Sequence, residues 1–358
     1  MLSQQSQQLI FTNDVAHAID KWVESAKPFK LFVIADSNTA KLCLPMIERG
    51  SKAIAEAHKI IVPVGETHKN LDTLAGIWRE LCGNGASRSA AVVNLGGGVV
   101  TDMGGFAAAT FKRGIRFVNV PTTLLAAVDA AVGGKTGIDF NGFKNEIGAF
   151  CSADAVIIST LFFSTLPQSE RLSGFAEMLK HSLIAGGDAY GRLTRSKDMD
   201  FTSAEFLELL KESVLVKKNI VEQDPTEKGL RKALNLGHTA GHAFESWALE
   251  QGKPVPHGYA VAWGLIVDLV LSHLQLGFPS ETLRQAAAFI EENYGRIAID
   301  CGDYDALIEI MRHDKKNAGD GSISFTLLRA PGEVDVNRTA SPVEIAAALD
   351  IFRDLLHI

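Results

Sequence analysis

Cysteine is scarce. The chain has four, Cys43, Cys82, Cys151 and Cys301, far apart and with no CxxC pair. That spacing suggests neither a zinc knuckle nor a disulfide framework. Basic charge is short as well: 35 Lys and Arg stand against 42 Asp and Glu, a net charge of −7. General nucleic-acid binding needs a basic footprint, so only local basic pockets for small anions stay open. Met1 to Asn13 holds neither a basic n-region nor an apolar h-region, and no signal peptide is expected. Long uninterrupted apolar runs are missing. The greasiest stretch, Tyr259 to Leu276, is broken by Asp268, Ser272 and His273, which points to a buried core helix rather than a membrane span. Internal repeats and low-complexity tracts are not found. We therefore expect a cytoplasmic protein with no nucleic-acid or membrane partner. What remains, 46% hydrophobic and 22% charged residues over 358 positions, is an ordinary globular composition of one or two domains.

The first 160 residues alternate strand and helix signals. Lys30 to Ala35 is a short apolar run ending at Asp36, as a buried parallel strand would, and Thr39 to Glu48 reads as helix. Lys59 to Val62 is a second strand. Leu71, Leu74, Trp78 and Leu81 share one face of a helix over Asn70 to Cys82. Ala90 to Leu95 is a third strand running into Gly96-Gly97-Gly98, alanine-rich Asp102 to Phe111 is a helix, and Arg116 to Val120 is a fourth strand. This order predicts a parallel sheet covered by helices. After Thr160 the signals are helical, over Leu161 to Ala185, Ala204 to Asn219, Ala240 to Glu250, Ala260 to Leu276, Ser280 to Tyr294 and Pro342 to Leu356; only Ser322 to Leu328 reads as a strand. The expectation is a parallel α/β domain over 1–160 and a mostly α-helical domain over 161–358, with a site in the cleft between them.

Gly96-Gly97-Gly98 follows a strand and precedes a helix, where bare backbone can approach a phosphate and the helix N-terminus favours negative charge. It does not spell G-x-G-x-x-G, because Thr101 replaces the third glycine. A tight turn with no ligand reads equally well, and Asp102 in the first helical turn suits the dipole either way. Gly133-Gly134-Lys135-Thr136-Gly137 ends like a P-loop, but Asp129 occupies the leading glycine position; a lysine in such a loop can still hold an anion. His238 and His242 share a helical face. Gly237 and Gly241 precede them and leave room beside each ring. His257 follows Pro254-Val255-Pro256 at a loop-to-helix junction. Two histidines on a face and a third from a nearby turn can bind a metal, usually with a carboxylate. Glu177 is the carboxylate candidate, with Lys180 and His181 on its helical face; a buried Glu–Lys pair beside a metal suits proton handling. A surface helix pair is the alternative, and spacing does not say which histidines bind.

In order along the chain, these pieces form one pattern: Gly65-Glu66-x-x-Lys69, Gly96-Gly97-Gly98-Val99-x-x-Asp102, Phe111-Lys112-Arg113-Gly114, Pro121-Thr122-Thr123-Leu124-Leu125, Val128-Asp129-x-x-Val132-Gly133-Gly134-Lys135-Thr136-Gly137 and Lys144-Asn145-x-Ile147-Gly148-Ala149-Phe150. The second half adds Thr165-Leu166-Pro167, Gly174-x-Ala176-Glu177-x-x-Lys180, Arg231-x-x-Leu234-Asn235-x-Gly237-His238-Thr239-x-Gly241-His242-Ala243-x-Glu245, His257-Gly258-x-Ala260-Val261-Ala262-x-Gly264 and Asp314-Lys315-Lys316. From about Asp36 to Lys316 the chain closely resembles the 3-dehydroquinate synthase family. Its departures, Thr101 and Ala130-Ala131, carry no chemical group of the pattern.

The resemblance implies a Rossmann-like NAD-binding domain, a helical metal- and substrate-binding domain, and an NAD- and divalent-metal-dependent cyclase of the shikimate pathway. The implied substrate is the sugar phosphate 3-deoxy-D-arabino-heptulosonate 7-phosphate, and the products are 3-dehydroquinate and phosphate. The implied course is oxidation of a hydroxyl, phosphate elimination, reduction and aldol closure, with NAD regenerated. It makes Glu177, His238 and His257 the ligands of zinc or cobalt. Asp36, Asn38, Glu66, Lys69, Gly97, Gly98, Asp102, Thr122, Thr123, Lys144 and Thr165 match NAD contacts, which the family places between the domains. Asp129, Lys135, Asn145, Lys217, Arg231 and Asn235 match substrate contacts, and Lys315 or Lys316 with Asn235, His242 and Arg113 would hold the phosphate. Lys180, Glu227 and His242 are the implied catalytic residues. Arg113 reaches across from a second subunit in the family, which implies a homodimer. No extra domain of the multifunctional fusions is expected. Read without the resemblance, Lys217, Asn235 and the Asp314-Lys315-Lys316 run are solvated polar residues.

Overall fold

The structure, a computed structural model, describes residues 7–196, 198–313 and 323–358. Lys315 and Lys316, and the start of the strand expected from Ser322, lie outside the described residues. The chain divides into two compact units, Met1–Pro167 with Asp200–Val214, and Gln168–Met199 with Leu215–Ile358.

In the first unit the elements are β1 (Gln8–Phe11), α1 (Val15–Ala26), β2 (Leu31–Asp36), α2 (Ser37–Leu42), α3 (Leu44–Glu48), α4 (Lys52–Glu56), β3 (His58–Val62), α5 (Leu71–Gly83), β4 (Ala91–Gly96), α6 (Gly98–Thr110), β5 (Arg116–Pro121), β6 (Lys135–Phe140), β7 (Phe143–Phe150) and β8 (Ala155–Ile158). Six strands form one sheet in the order β1-β8-β5-β4-β2-β3, every neighbouring pair parallel. Leu31, Val33 and Ala35 of β2 join one core with α1, while Phe32 and Ile34 join another with α5 and α6. Both faces are covered, which is why the strand reads as a continuous apolar run. Counted from β2, the order β3-β2-β4-β5-β8 is the 2-1-3-4-5 doubly wound arrangement. It reverses between β2 and β4, so Asp36 and Gly96, at their carboxyl ends, flank the switch point where such sheets bind ligands.

Several boundaries differ from the sequence reading. The helix expected over Thr39 to Glu48 breaks into α2 and α3 at Cys43, because Pro45 starts a new helix in its first turn. α6 begins at Gly98, four residues early, with Gly96 ending β4 and Gly97 as N-cap, so Asp102 sits one turn in. The single helix expected from Leu161 is a 3₁₀ turn, Leu161–Thr165, followed after Pro167 by the helix from Gln168; the residue before that proline, Leu166, is extended. The segment around Lys135, read as a glycine-rich loop, is strand: β6 and β7 pair as a hairpin around Asn141-Gly142, both at positive φ as that tight turn requires.

The second unit contains α7 (Gln168–Ala185), α8 (Ala189–Arg195), α10 (His238–Glu250), α11 (His257–Leu276), α12 (Ser280–Tyr294), α13 (Tyr304–Arg312), the antiparallel pair β9 (Ile323–Ala330) and β10 (Glu333–Ala340), and α14 (Pro342–Leu355). The helix α9 (Ala204–Gln223) belongs to the first unit up to Val214 and to the second from Leu215. The apolar stretch from Tyr259 is the core helix it was expected to be: α11 is largely buried and packs on α10, α7, β9, α12 and α14.

Candidate metal centre and nucleotide turn

Three elements of the second unit bring Glu177, His238 and His257 together. Glu177 is fully buried in the middle of α7. His238 is the first residue of α10 and His257 the first of α11. Glu177 Oε1 lies 3.5 Å from His238 Nε2 and 3.7 Å from His257 Nε2, yet accepts no hydrogen bond. Metal–ligand bonds of 2.0–2.2 Å in a tetrahedron put ligand atoms about 3.4 Å apart, so the three fit a divalent cation. His242, one turn along α10, has its ring 5.3 Å from that of His238 and 5.8 Å from that of His257. One ring nitrogen from each of His238, His242 and His257 lies within 4.8 Å of the other two, so His242 also borders the site.

The close approach of α10 and α11 comes from glycine. A Cβ on Gly264 would stand 2.1 Å from the Gly237 carbonyl oxygen, and one on Gly241 would stand 3.0 Å from that of Ala260. Gly237 and Gly241 thus make room for α11 rather than for the histidine rings, correcting the sequence reading. Gly237 also has a φ of +78°, a left-handed conformation that glycine adopts without penalty. Its N–H donates to Asp268 Oδ2 at 2.6 Å, and Asp268 is fully buried on α11.

Lys180, one turn after Glu177 and equally buried, forms an ion pair with Glu177 Oε2. Burial would raise the Glu177 carboxyl, but the Lys180 ammonium, followed by His257 and His181, holds it well below the usual carboxylate range. Burial would lower His257; Glu177 and Glu245 outweigh it and raise this imidazole to about 9. Elsewhere in the unit, Asn235 Nδ2 donates to Glu227 Oε1 at 3.2 Å, joining a substrate candidate to a catalytic one. Buried Arg231 donates to the Pro225 carbonyl at 2.8 Å, and Lys217 is buried on α9. Asp224 organises this loop by accepting the backbone N–H groups of Lys228, Gly229 and Arg231.

In the first unit Asp36, Gly97, Gly98 and Thr122 lie at the switch point. Asp36 caps α2, accepting from the N–H groups of Asn38 and Thr39 at 2.8 and 2.9 Å. Gly97 is the N-cap of α6, and a Cβ there would crowd Thr123 Cγ2 at 3.2 Å; one on Gly98 would meet Ala130 at 3.4 Å. A bare helix N-terminus with no side-chain cap suits a phosphate. Thr122 is buried and its N–H donates to the Gly96 carbonyl. Buried Lys69 donates to Asp102 Oδ2 at 2.7 Å and to Asn145 Oδ1 at 2.6 Å, and Glu66 lies 4.0 Å away. Burial pulls Lys69 down, but Asp102 and Glu66 outweigh it and leave it raised; burial also leaves Asp102 raised despite Lys69. Lys69 and Asp102, matched to NAD, and Asn145, matched to substrate, therefore form one cluster. Asp139, which the sequence did not single out, ties it down: its Oδ1 accepts from Asn145 N–H at 2.7 Å and its N–H donates to the Lys69 carbonyl at 2.8 Å. Arg113, Lys135, Asn38 and Lys144 are exposed, Asp129 is partly buried, and Thr165 Oγ1 donates to the Phe162 carbonyl at 2.7 Å.

Two further contributors were seen in the sequence but given no role there, Glu245 within the pattern and Asp268 within the apolar stretch. Glu245 is seven residues after His238, hence on the face of α10 that carries His238 and His242, and this spacing was a usable signal. Asp268 was visible as an interruption of an apolar run, but nothing local linked it to Gly237.

Comparison with known proteins identifies the family. The family model described as 3-dehydroquinate synthase N-terminal matches residues 59–173, and the one described as 3-dehydroquinate synthase C-terminal matches residues 174–317. A 3-dehydroquinate synthase from Parabacteroides distasonis is 47% identical over 349 residues, 97% of this chain and 98% of its own. Among solved structures, 2-epi-5-epi-valiolone synthase from Streptomyces hygroscopicus subsp. jinggangensis, with NAD+ and Zn2+ bound, superposes with a TM-score of 0.86 at 24% identity, covering 99% and 98% of the two chains. A 2-deoxy-scyllo-inosose synthase complexed with carbaglucose-6-phosphate, NAD+ and Co2+ gives a TM-score of 0.83 at 23% identity, covering 97% and 96%. With both halves matched in order by one family and nearly the full length aligned to one of its members, the chain belongs to the 3-dehydroquinate synthase family.

Proposed function

We propose that the protein closes 3-deoxy-D-arabino-heptulosonate 7-phosphate to 3-dehydroquinate with release of phosphate, using NAD and a divalent metal, zinc or cobalt. The observation that carries the reading is the convergence of buried Glu177 Oε1 with the Nε2 atoms of His238 and His257. These three residues would hold the metal. When bound, the metal would supply Lewis acidity at a substrate hydroxyl and NAD would supply a reversible hydride acceptor. The solved relatives with NAD+ and Zn2+ or Co2+ support both.

The chain's own residues do the rest. Lys180 keeps Glu177 ionised in a buried setting and would supply an ammonium to the proton transfers of the site. Glu227, its Oε1 held by Asn235, and His242 move protons at the ring atoms. Arg231, Lys135 and Asn145, with Asp129 and Lys217, bind the carboxylate and hydroxyls; a guanidinium grips a carboxylate with two bonds. Arg113, with Lys315 or Lys316, binds the phosphate. The NAD set is Asp36, Asn38, Glu66, Lys69, Gly97, Gly98, Asp102, Thr122, Thr123, Lys144 and Thr165. The switch point between β2 and β4 and the uncapped start of α6 support it. The domain division at residue 160 goes with this assignment of cofactor to the first part and metal to the second. We also read the enzyme as a cytoplasmic homodimer. Support for the dimer is Arg113, exposed at a φ of +70° beside Lys112 at +51° and Gly114 at +114°, a turn that thrusts its side chain outward.

The test is phosphate release from this substrate with NAD and zinc, with and without a chelator. Chelator-sensitive release without net NADH is expected. Release only from a sugar phosphate lacking the carboxylate, or net NADH without phosphate, would refute the assignment. Light scattering on the purified protein tests the dimer.

A further inference from the structure

Glu245 takes no part in the chemistry above, yet it touches that site. It lies on the His238 face of α10, and its Oε2 is 3.0 Å from Nδ1 of His257, with the carboxylate 19% and the imidazole 29% exposed. An ionised carboxylate only accepts hydrogen bonds. Nδ1 therefore carries the proton and donates, and a neutral ring then presents the lone pair of Nε2, the atom 3.7 Å from Glu177 Oε1. His238 is set the same way by main chain: its Nδ1 donates to the Leu236 carbonyl at 3.1 Å, leaving Nε2 for Glu177. The two rings differ in what holds them. The Leu236 carbonyl is fixed two residues before His238. His257 opens α11 behind Pro256, which offers no side-chain cap, and a residue of another helix sets its tautomer.

We infer that Glu245 is a positioning residue for the metal centre, orienting His257 and fixing its tautomer so that Nε2 is the ligating atom. The inference rests on the metal reading given above. Partners of this kind, removed from ligating histidines, typically cost 10–100-fold in metal affinity. A bystander ion pair at this exposure would cost almost nothing.

The test uses the full chain, stripped with chelator and titrated with zinc against a competing chelating dye, together with the absorption spectrum of its cobalt form. Wild type is expected to bind one ion, and His257→Ala to lose it. Glu245→Ala should bind zinc 10–100-fold more weakly, with an altered cobalt spectrum, while its metal-stripped form melts with wild type. Glu245→Gln keeps the volume and an acceptor oxygen but loses the charge, and should fall between. Wild-type affinity and an unchanged cobalt spectrum in Glu245→Ala would overturn the inference. So would a loss of affinity that tracks a lower melting temperature of the metal-stripped variant. If the alanine variant does not fold, Glu245→Gln carries the test alone, and wild-type affinity there would overturn it. Failure of wild type to bind either ion would sink the metal reading instead.

Discussion

Replacing Gly264 with alanine should damage both stability and the metal centre. The added Cβ would stand 2.1 Å from the Gly237 carbonyl oxygen and 2.6 Å from the Gly241 nitrogen. A relaxed carbon–oxygen contact is about 3.4 Å, so α10 and α11 must separate by roughly an ångström. Both obstructing atoms are main chain in a buried helix pair, and no rotamer change relieves them. Overpacking of this kind costs about 1–3 kcal/mol, and we place this case at about 3. For a unit of this size that is a melting-point loss of roughly 6–12 °C. Because His238 and His257 begin these two helices, the 3.5 and 3.7 Å spacings to Glu177 Oε1 should open as well. Calorimetry on chelated protein, followed by zinc titration, reads both effects. Gly76→Ala in α5 is the internal control. Nothing lies within 4 Å of its Cβ, so helix propensity alone should make that variant more stable by about 0.5–1 kcal/mol. A Gly264→Ala protein that melts and binds zinc as wild type does would refute the close-packing argument.

Three further outcomes follow from other contacts. Glu177→Gln should abolish zinc binding and, by leaving buried Lys180 without its counter-charge, cost about 3–5 kcal/mol; urea titration of the chelated protein measures it, and a loss under 1 kcal/mol, the scale of an exposed pair, would contradict the buried-pair account. Asp268→Ala strands the Gly237 N–H in the core and should destabilise by about 1.5–3 kcal/mol, again read by urea. Burial raises the Cys43 thiol to about 11, so the reactive thiolate is scarce at pH 8 and grows only as pH approaches that value. Iodoacetamide at pH 8 should label exposed Cys82 and Cys301 and spare Cys43; equal labelling rates by mass spectrometry would refute this.

Much of the fold was legible where local pattern and burial coincide. β2 shows as an apolar run, β4 and β5 as apolar runs interrupted only by buried Asn94 and Asn119, which hydrogen-bond each other at 2.9 Å, and α5 and α12 carry clear amphipathic spacing. β1 and β8 were not found, because each has only four residues, too few to show a pattern, and they pair with each other across more than a hundred residues. The β6–β7 hairpin was hidden by its glycines. Gly137 and Gly148 face each other across the pair, where a Cβ on Gly148 would strike the Thr136 carbonyl oxygen at 2.1 Å, so they serve a close backbone approach rather than a loop. In the site, the Glu177–Lys180 pair was legible because it spans one helical turn. The link from Lys69 to Asn145, 76 residues apart, and that from Asp268 to Gly237, 31 apart, exist only after folding.

The path of the chain has a consequence for how the protein can be made. The first unit is not continuous: it is completed by Asp200–Val214. That return segment supplies Phe206, fully buried, with its ring 6.4 Å from Phe163 and 4.4 Å from Phe201, and the Thr202 carbonyl that accepts from Thr160 Oγ1 at 3.1 Å. A fragment ending at Pro167 would leave Phe163 without that cover. During synthesis, the sheet of the first unit can assemble as soon as β8 leaves the ribosome, but its last apolar surface stays open until Val214 has emerged. For that interval the nascent chain leaves the Phe163 face uncovered, and a fragment ending at Pro167 lacks part of the first unit's own core.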